Sequence, residues 1–284
     1  MIPSRNLNWI AATDPNNAEV LRDLQQRMAN YYGSSEKYYE EIDFTAKAWL
    51  EDECYRDIAR RLESCSSITE VGCGAANILR CHAHFISRYS GCDFSSQLLA
   101  KNQQRYPEAR FRQIEQPHML PFDSASADAV FSVFVIEHAV YPHLFLDECH
   151  RVLKPGGTFI LRCPDFLGAG RMTSQRAGFS RLNGREKLAE GRVLDAIVTG
   201  WDRKVAIPRR CAELRRRMGD GYAFWLNAAP TCFVDPFVPD VDAVYLTYDR
   251  EMIGYLKGRI DFENPALGLS GRCPIYLTGK KRAI

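Results

Sequence analysis

The chain reads as an α/β protein built on a mostly parallel sheet with helices on both faces. Three observations predict this. Short β-branched or apolar runs alternate with helical stretches between residues 67 and 163, the pattern of successive strand–helix–strand crossovers. The run Ala129-Val-Phe-Ser-Val-Phe-Val-Ile136 is almost unbroken in apolar residues, as a central strand covered on both sides requires. Finally, Ser67-Ile-Thr-Glu-Val71 runs straight into Gly72-Cys-Gly74, a strand stopped by a glycine turn. Glycines there can take φ > 0 and present bare backbone to a ligand.

Taken in order, residues 1 to 66 precede this core. Val20, Leu21, Leu24 and Met28 have helical spacing, and a second helix is expected from about 44 to 62, carrying Trp49, Cys54, Ile58 and Leu62. Between them, Tyr31 to Tyr39 is dense in phenol rings. Strands are then expected near 67–71, 88–92, 110–114, 128–136 and 158–163. Helices should fill 95–105, with Ser95 or Ser96 as cap, and 142–153. In such sheets ligands bind beyond the C-terminal strand ends, which gathers Gly72, Asp93, Gln116 and His138 around one crevice. Asp93 follows Gly74 by 19 residues, the distance at which an acidic side chain meets a nucleoside ribose. From 164 to about 241 a long insertion interrupts the alternation, with helical runs near 182–199 and 208–218. It stands at the edge where a substrate cap would sit. Val244 to Leu256 reads as a strand edge and helix, and Cys273 to Thr278 as a closing strand.

The bulk numbers narrow the function classes. With 46% hydrophobic and 25% charged residues in 284, the chain is an ordinary folded globular protein, one large domain or a core with a cap. No run approaches 18 apolar residues, so no membrane span is expected. Met-Ile-Pro-Ser-Arg-Asn at the start lacks a secretory apolar region. Ten cysteines contain no Cys-x-x-Cys pair, and a reduced, cytoplasmic protein is the expectation. Cys81-His-Ala-His84 offers two ligands at most, so no metal is expected. Net charge is +2, yet residues 171 to 217 carry 13 Lys and Arg against 5 Asp and Glu, an excess of eight that leaves −6 elsewhere. Such a run can solvate cap helices, attract an acidic small molecule or bind nucleic acid through phosphates.

Glu70-Val-Gly-Cys-Gly74 and Gly91-Cys-Asp-Phe-Ser95 resemble the first two motifs of class I S-adenosylmethionine-dependent methyltransferases of the small-molecule branch. Leu120-Pro-Phe-Asp123, Val135-Ile-Glu-His138 and Leu153-Lys-Pro-Gly-Gly157 resemble three later ones, in order. The resemblance implies a Rossmann-like core of seven strands with an antiparallel last strand. It divides the chain into an N-terminal helical lid (1–66), a cofactor-binding core (67–163 and 242–284) and a cap insertion for substrate (164–241). It further implies S-adenosylmethionine as cofactor. Glu70 would support the methionine ammonium, Gly72, Cys73 and Gly74 the methionine and ribose, and Asp93 the ribose hydroxyls. Phe94, Gln116, Pro117 and Val135 would complete the site. Two positions depart from the family pattern: Gln116 replaces an adenine-reading aspartate, and Ala76 a third glycine. A glutamine oxygen can accept the same hydrogen bond. A dinucleotide motif fails, because Gly-x-Gly-x-x-Gly would need glycine at Asn77.

On the acceptor side, His138 is the candidate base, since imidazole titrates near neutral pH. It favours O- over N-methylation of a small acidic or aromatic molecule in secondary-metabolite or cofactor biosynthesis. Tyr141 and His143 are nearby alternatives for that role. Tyr32, Tyr38, Tyr39, Trp49, Tyr141 and Trp225 are the candidate substrate contacts. The missing Asn/Asp-Pro-Pro-aromatic motif argues against a nucleobase acceptor. An RNA or protein methyltransferase and a non-catalytic, cofactor-binding partner of the same fold remain the alternatives.

Overall fold

The computed structural model describes residues 9–34, 48–116, 118–169, 182–218, 221–228, 243–263 and 275–283. The elements begin with β1 (Trp9–Ala11), α1 (Ala18–Ser34), α2 (Ala48–Glu51) and α3 (Glu53–Leu62). The core follows as β2 (Ile68–Val71), α4 (Asn77–Cys81), β3 (Tyr89–Asp93), α5 (Ser96–Arg105), β4 (Arg110–Gln113), β5 (Ala127–Val133), α6 (Pro142–Val152) and β6 (Leu153–Cys163). Beyond it lie α7 (Phe166–Ala169), α8 (Gly184–Ala189), α9 (Val193–Trp201), α10 (Ile207–Met218), β7 (Trp225–Asn227), α11 (Asp249–Tyr255), β8 (Ile260–Phe262) and β9 (Ile275–Lys281).

Seven strands form one sheet in the order β4-β3-β2-β5-β6-β9-β8. The pairs among β4, β3, β2, β5 and β6 are parallel, and β9 inserts antiparallel between β6 and β8. The order reverses at β2, which starts the sheet in sequence yet lies in its middle. That reversal opens a crevice at the C-terminal strand ends. Ile68 to Val71 are all buried, and Ala129, Val130 and Phe131 of β5 are at most 1% exposed, as expected of strands covered on both faces.

The helices obey their local signals. Asp52 accepts from the backbone N–H of Cys54 at 2.8 Å and caps α3. Along α3, Cys54, Ile58 and Leu62 recur every fourth residue and are fully buried, so one stripe faces the sheet. Ser95 caps α5 through the N–H of Leu98 at 3.3 Å. The helix expected over 182–199 is two helices, because Gly191 adopts φ +75° between α8 and α9. The strand expected over 128–136 stops at Val133, because Phe134 turns to φ +56°.

Three strands, β1, β7 and β8, escaped the sequence reading. β8 has only three residues and is defined by pairing with β9. β1 pairs antiparallel with β7, Trp9 opposite Asn227 and Ala11 opposite Trp225. This small sheet ties the first described residues to the segment expected to form the cap. Their shared core joins Trp9 and Trp225 to Phe166, Ile207, Cys211 and Leu214.

Of the eight cysteines among the described residues, seven are buried. Among the described residues no helix is long and apolar enough to cross a membrane, and no group of three potential ligands gathers for a metal.

Candidate active site

The glycine turn is built by its neighbours. Gly72 stands at φ +71° and Gly74 at φ +48°. The N–H groups of Gly72 and Cys73 both donate to the carbonyl of Cys92, at 2.8 and 2.9 Å. A Cβ on Gly72 would fall 2.4 Å from Cγ2 of Val135. Val135 thus supports the turn from behind, across β5. Cys73 turns its thiol inward, where it would meet a Cβ on Gly91 at 2.9 Å. Only its backbone is offered to a ligand.

Asp93 closes the other side. Its Oδ2 accepts from the N–H of Gly74 and its Oδ1 from the N–H of Ser95, both at 3.0 Å. Burial raises its pKa, and the N–H donors of Ser95 and Gly74 oppose that shift. Part of its surface still reaches solvent, and each oxygen keeps a lone pair for a further donor. Asn102 of α5, buried, donates to the carbonyl of Gly74 at 2.7 Å. Ser132 likewise donates to the carbonyl of Val71 at 2.9 Å. Neither residue was among the candidates. Their signal is a polar residue at a position that the helix or strand pattern buries.

Glu70 points to the α3 side of the sheet and is 5% exposed. The hydroxyl of Tyr89 donates to its Oε2 at 2.5 Å. Gly91 leaves room for this pair, since a Cβ there would sit 3.0 Å from the Tyr89 oxygen. Burial pushes the Glu70 carboxyl up to about 8, so the protonated form dominates in the folded ligand-free protein at neutral pH. A raised folded pKa contributes stability that is lost as pH climbs from the ordinary 4.5 through about 8, at up to about 1.4 kcal/mol per pH unit. Glu70→Gln keeps an acceptor for Tyr89 without that charge. Its melting temperature, measured against wild type from pH 5 to 8.5, is expected to gain several degrees over the range. Parallel profiles would rule out a buried, titrating Glu70.

The remaining candidates divide. Phe94 and Val135 are partly buried and pack on the larger core cluster. Gln116 is exposed and bridges backbone to Met119. Pro117, Tyr38 and Tyr39 lie outside the described residues, as do the side chains of Tyr32 and Trp49. His138 sits in a short 3-10 turn, Ile136–His138, that follows the Phe134 bend. Its side chain is 21% exposed, with Nε2 3.9 Å from Oε1 of Glu137. The Glu137 carbonyl accepts from the N–H groups of Val244 and Tyr245, at 2.8 and 2.9 Å, which fixes this turn. Tyr141 begins α6 close by, half-buried, its ring 6.4 Å from that of His143. Trp225 is 7% exposed, under the guanidinium of Arg217. It belongs to the shared core of β1, β7 and α10, not to the glycine turn. A tryptophan in an apolar passage carries the same sequence signal in either place.

Backbone free of side chains at Gly72 and Gly74, beside a carboxylate flanked by two N–H donors, fits the methionine and ribose of S-adenosylmethionine. Residues 69–161 match the model of the methyltransferase domain family. A probable S-adenosylmethionine-dependent methyltransferase of Mycolicibacterium smegmatis is 33% identical over 39% of this chain and 42% of its own length. A fatty-acid O-methyltransferase of the same organism is 29% identical over 60% and 68%. The chain spans 42%, 34% and 38% of the first curated relatives it matches. Among solved structures, a SAM-dependent methyltransferase and possible histamine N-methyltransferase from Thermotoga maritima aligns with 90% of this chain and 100% of its own, with TM-score 0.51 and 14% identity. That likeness is one of fold. Glycine turn, Asp93 carboxylate, strand order and domain match converge: residues 69–161 form a methyltransferase domain, set in the fold of class I S-adenosylmethionine-dependent methyltransferases.

Proposed function

We propose that the protein transfers a methyl group from S-adenosylmethionine to a small organic acceptor, with oxygen favoured over nitrogen as the atom methylated. The observation that carries this reading is Asp93, held between the N–H groups of Gly74 and Ser95 at the rim of a turn that Val135 keeps free of side chains. When bound, S-adenosylmethionine supplies an electrophilic methyl group on a sulfonium. The protein's part is to hold it, orient the acceptor and exclude water. Gly72, Cys73 and Gly74 offer backbone, Asp93 accepts from hydroxyls, and Glu70 stands behind the turn toward an ammonium. Phe94, Gln116 and Pro117 are assigned to the adenine side.

His138 is the proposed base. It follows β5 by one bend, keeps a fifth of its side chain exposed and lies beside the buried Glu137. In that position its imidazole takes the proton from an acceptor hydroxyl. Tyr32, Trp49 and Tyr141 are assigned to the acceptor pocket, with residues 1–66 and 164–241 as its lid and cap. A pocket lined by these aromatic side chains would favour an organic acceptor over nucleic acid.

The test feeds methyl-labelled cofactor and a small-molecule extract to the protein and reads label in low-molecular-mass products. His138→Ala should lower transfer at least a hundredfold, within the range expected for a lost general base. Its affinity for S-adenosylhomocysteine should stay within about twofold by calorimetry. A variant with near-normal transfer removes His138 as the base. Labelled RNA or protein in place of small products would favour the macromolecular alternative.

A further inference from the structure

Arg162 has no role in this reading, yet it is 6% exposed at the end of β6. Its place follows from strand register. Glu70 pairs with Phe131, and Phe131 with Ile160. Arg162 lies two residues beyond Ile160, opposite Val133, so it shares the Glu70 face and stands nearer the strand ends. Its terminal nitrogens donate to Asp52, one to Oδ1 at 3.1 Å and one to Oδ2 at 2.8 Å. The guanidinium carbon lies 4.3 Å from the ring centre of Tyr55 and 5.4 Å from that of Phe134. The phenol of Tyr55 feels the charges of Arg162, Asp52 and Glu70 together, so these four groups form one neighbourhood.

The guanidinium is only half used. Asp52 occupies the end of the fork, while the buried Nε has no hydrogen-bond partner. Nε–H and the adjoining terminal N–H make a second edge, shaped to receive both oxygens of a carboxylate. A buried donor without an acceptor costs free energy, and native proteins keep few of them unless a ligand completes them. Phe134, which covers the guanidinium, is 37% exposed and held at φ +56°. Such strain gathers at ligand sites.

Resting on the methyl-transfer reading, we propose that Arg162 is a carboxylate-binding residue of this crevice, receiving a ligand carboxylate on its Nε edge while Asp52 holds the other. β6 lies two strand spacings from β2, roughly 10 Å. A nucleoside whose ribose sits at Asp93 therefore meets Arg162 with its far, amino-acid end, or else the acceptor beside it does. Both sources present the same chemistry.

The experiment separates them with Arg162→Met. In the first arm, calorimetry compares S-adenosylhomocysteine with methylthioadenosine, which lacks the amino-acid end. If the cofactor supplies the carboxylate, the variant weakens the first at least tenfold and leaves the second unchanged. In the second arm, labelled methyl donor is offered with a small-molecule extract split by anion exchange. If the acceptor supplies it, wild type labels the retained fraction, and the variant loses at least tenfold of that label while binding S-adenosylhomocysteine normally. A variant equal to wild type in both arms overturns the proposal. So does equal weakening of both nucleosides with a lowered melting temperature, the mark of an ion pair that only pins α3. Asp52→Asn checks that case, since asparagine still caps α3 but ends the ion pair. Its affinities should match wild type, and a loss equal to that of Arg162→Met overturns the carboxylate assignment. Failure of wild type to bind either nucleoside would instead sink the cofactor reading itself.

Discussion

Asp93→Ala is expected to weaken S-adenosylhomocysteine binding by at least tenfold, and by more if both ribose hydroxyls are held. Hydrogen bonds to a charged group contribute about 1.5–3 kcal/mol each, and about 1.4 kcal/mol is already a factor of ten. The carboxylate has a second task. Its two oxygens accept from Gly74 and Ser95, so alanine also leaves two N–H groups without their partner and frees the turn from the start of α5. Asp93→Asn separates the two tasks. It keeps one oxygen acceptor but loses the charge, so affinity should fall while the melting temperature drops less than in the alanine variant. Calorimetry with S-adenosylhomocysteine, paired with thermal unfolding, reads both quantities. Undiminished affinity in Asp93→Ala would end the assignment of this crevice to a nucleoside.

How far this site could be seen in the sequence depends on the physical range of each signal. The turn was legible because its requirements are local: a β-branched run, a glycine at Gly72 and an acidic residue 19 positions beyond Gly74. β5 was legible because burial on both faces leaves an unbroken apolar run. Its end was not, since nothing about Phe134 announces a left-handed residue, and the bend is imposed where the N–H of Phe134 donates to the carbonyl of Arg162 at 2.8 Å. The β1–β7 pairing joins residues more than two hundred positions apart through two three-residue strands. No periodicity develops over three residues. Trp225 shows the same limit from the other side: an aromatic near a cap can line a pocket or fill a core, and composition does not separate the two. Asn102, Ser132 and Tyr89 were missed for a related reason. Each shows in the sequence only as a polar group at a position the pattern buries, and its hydrogen-bond partner on a distant strand or loop leaves no mark along the chain.

Gly72→Ala tests the turn most severely, because two costs coincide there. A left-handed conformation costs a residue bearing a Cβ about 1–2 kcal/mol, and Gly72 stands at φ +71°. The added Cβ would also lie 2.4 and 2.6 Å from the two γ-methyls of Val135, and overpacking of this kind costs about 1–3 kcal/mol. The turn has little freedom to yield, since the N–H groups of Gly72 and Cys73 share the Cys92 carbonyl. The melting temperature should fall by about 5–15 °C, taking about 2–4 °C per kcal/mol for a chain of this size, and nucleoside binding should disappear. The pair Gly72→Ala and Val135→Ala distinguishes the two costs. Removing the γ-methyls relieves the collision but leaves the backbone strain, so the double variant should be more stable than Gly72→Ala yet less stable than Val135→Ala. A double-mutant cycle expresses this as a favourable coupling of about 1 kcal/mol or more. Additive losses would mean that Val135 does not press on the turn, and the cradle would then owe its shape to the backbone alone.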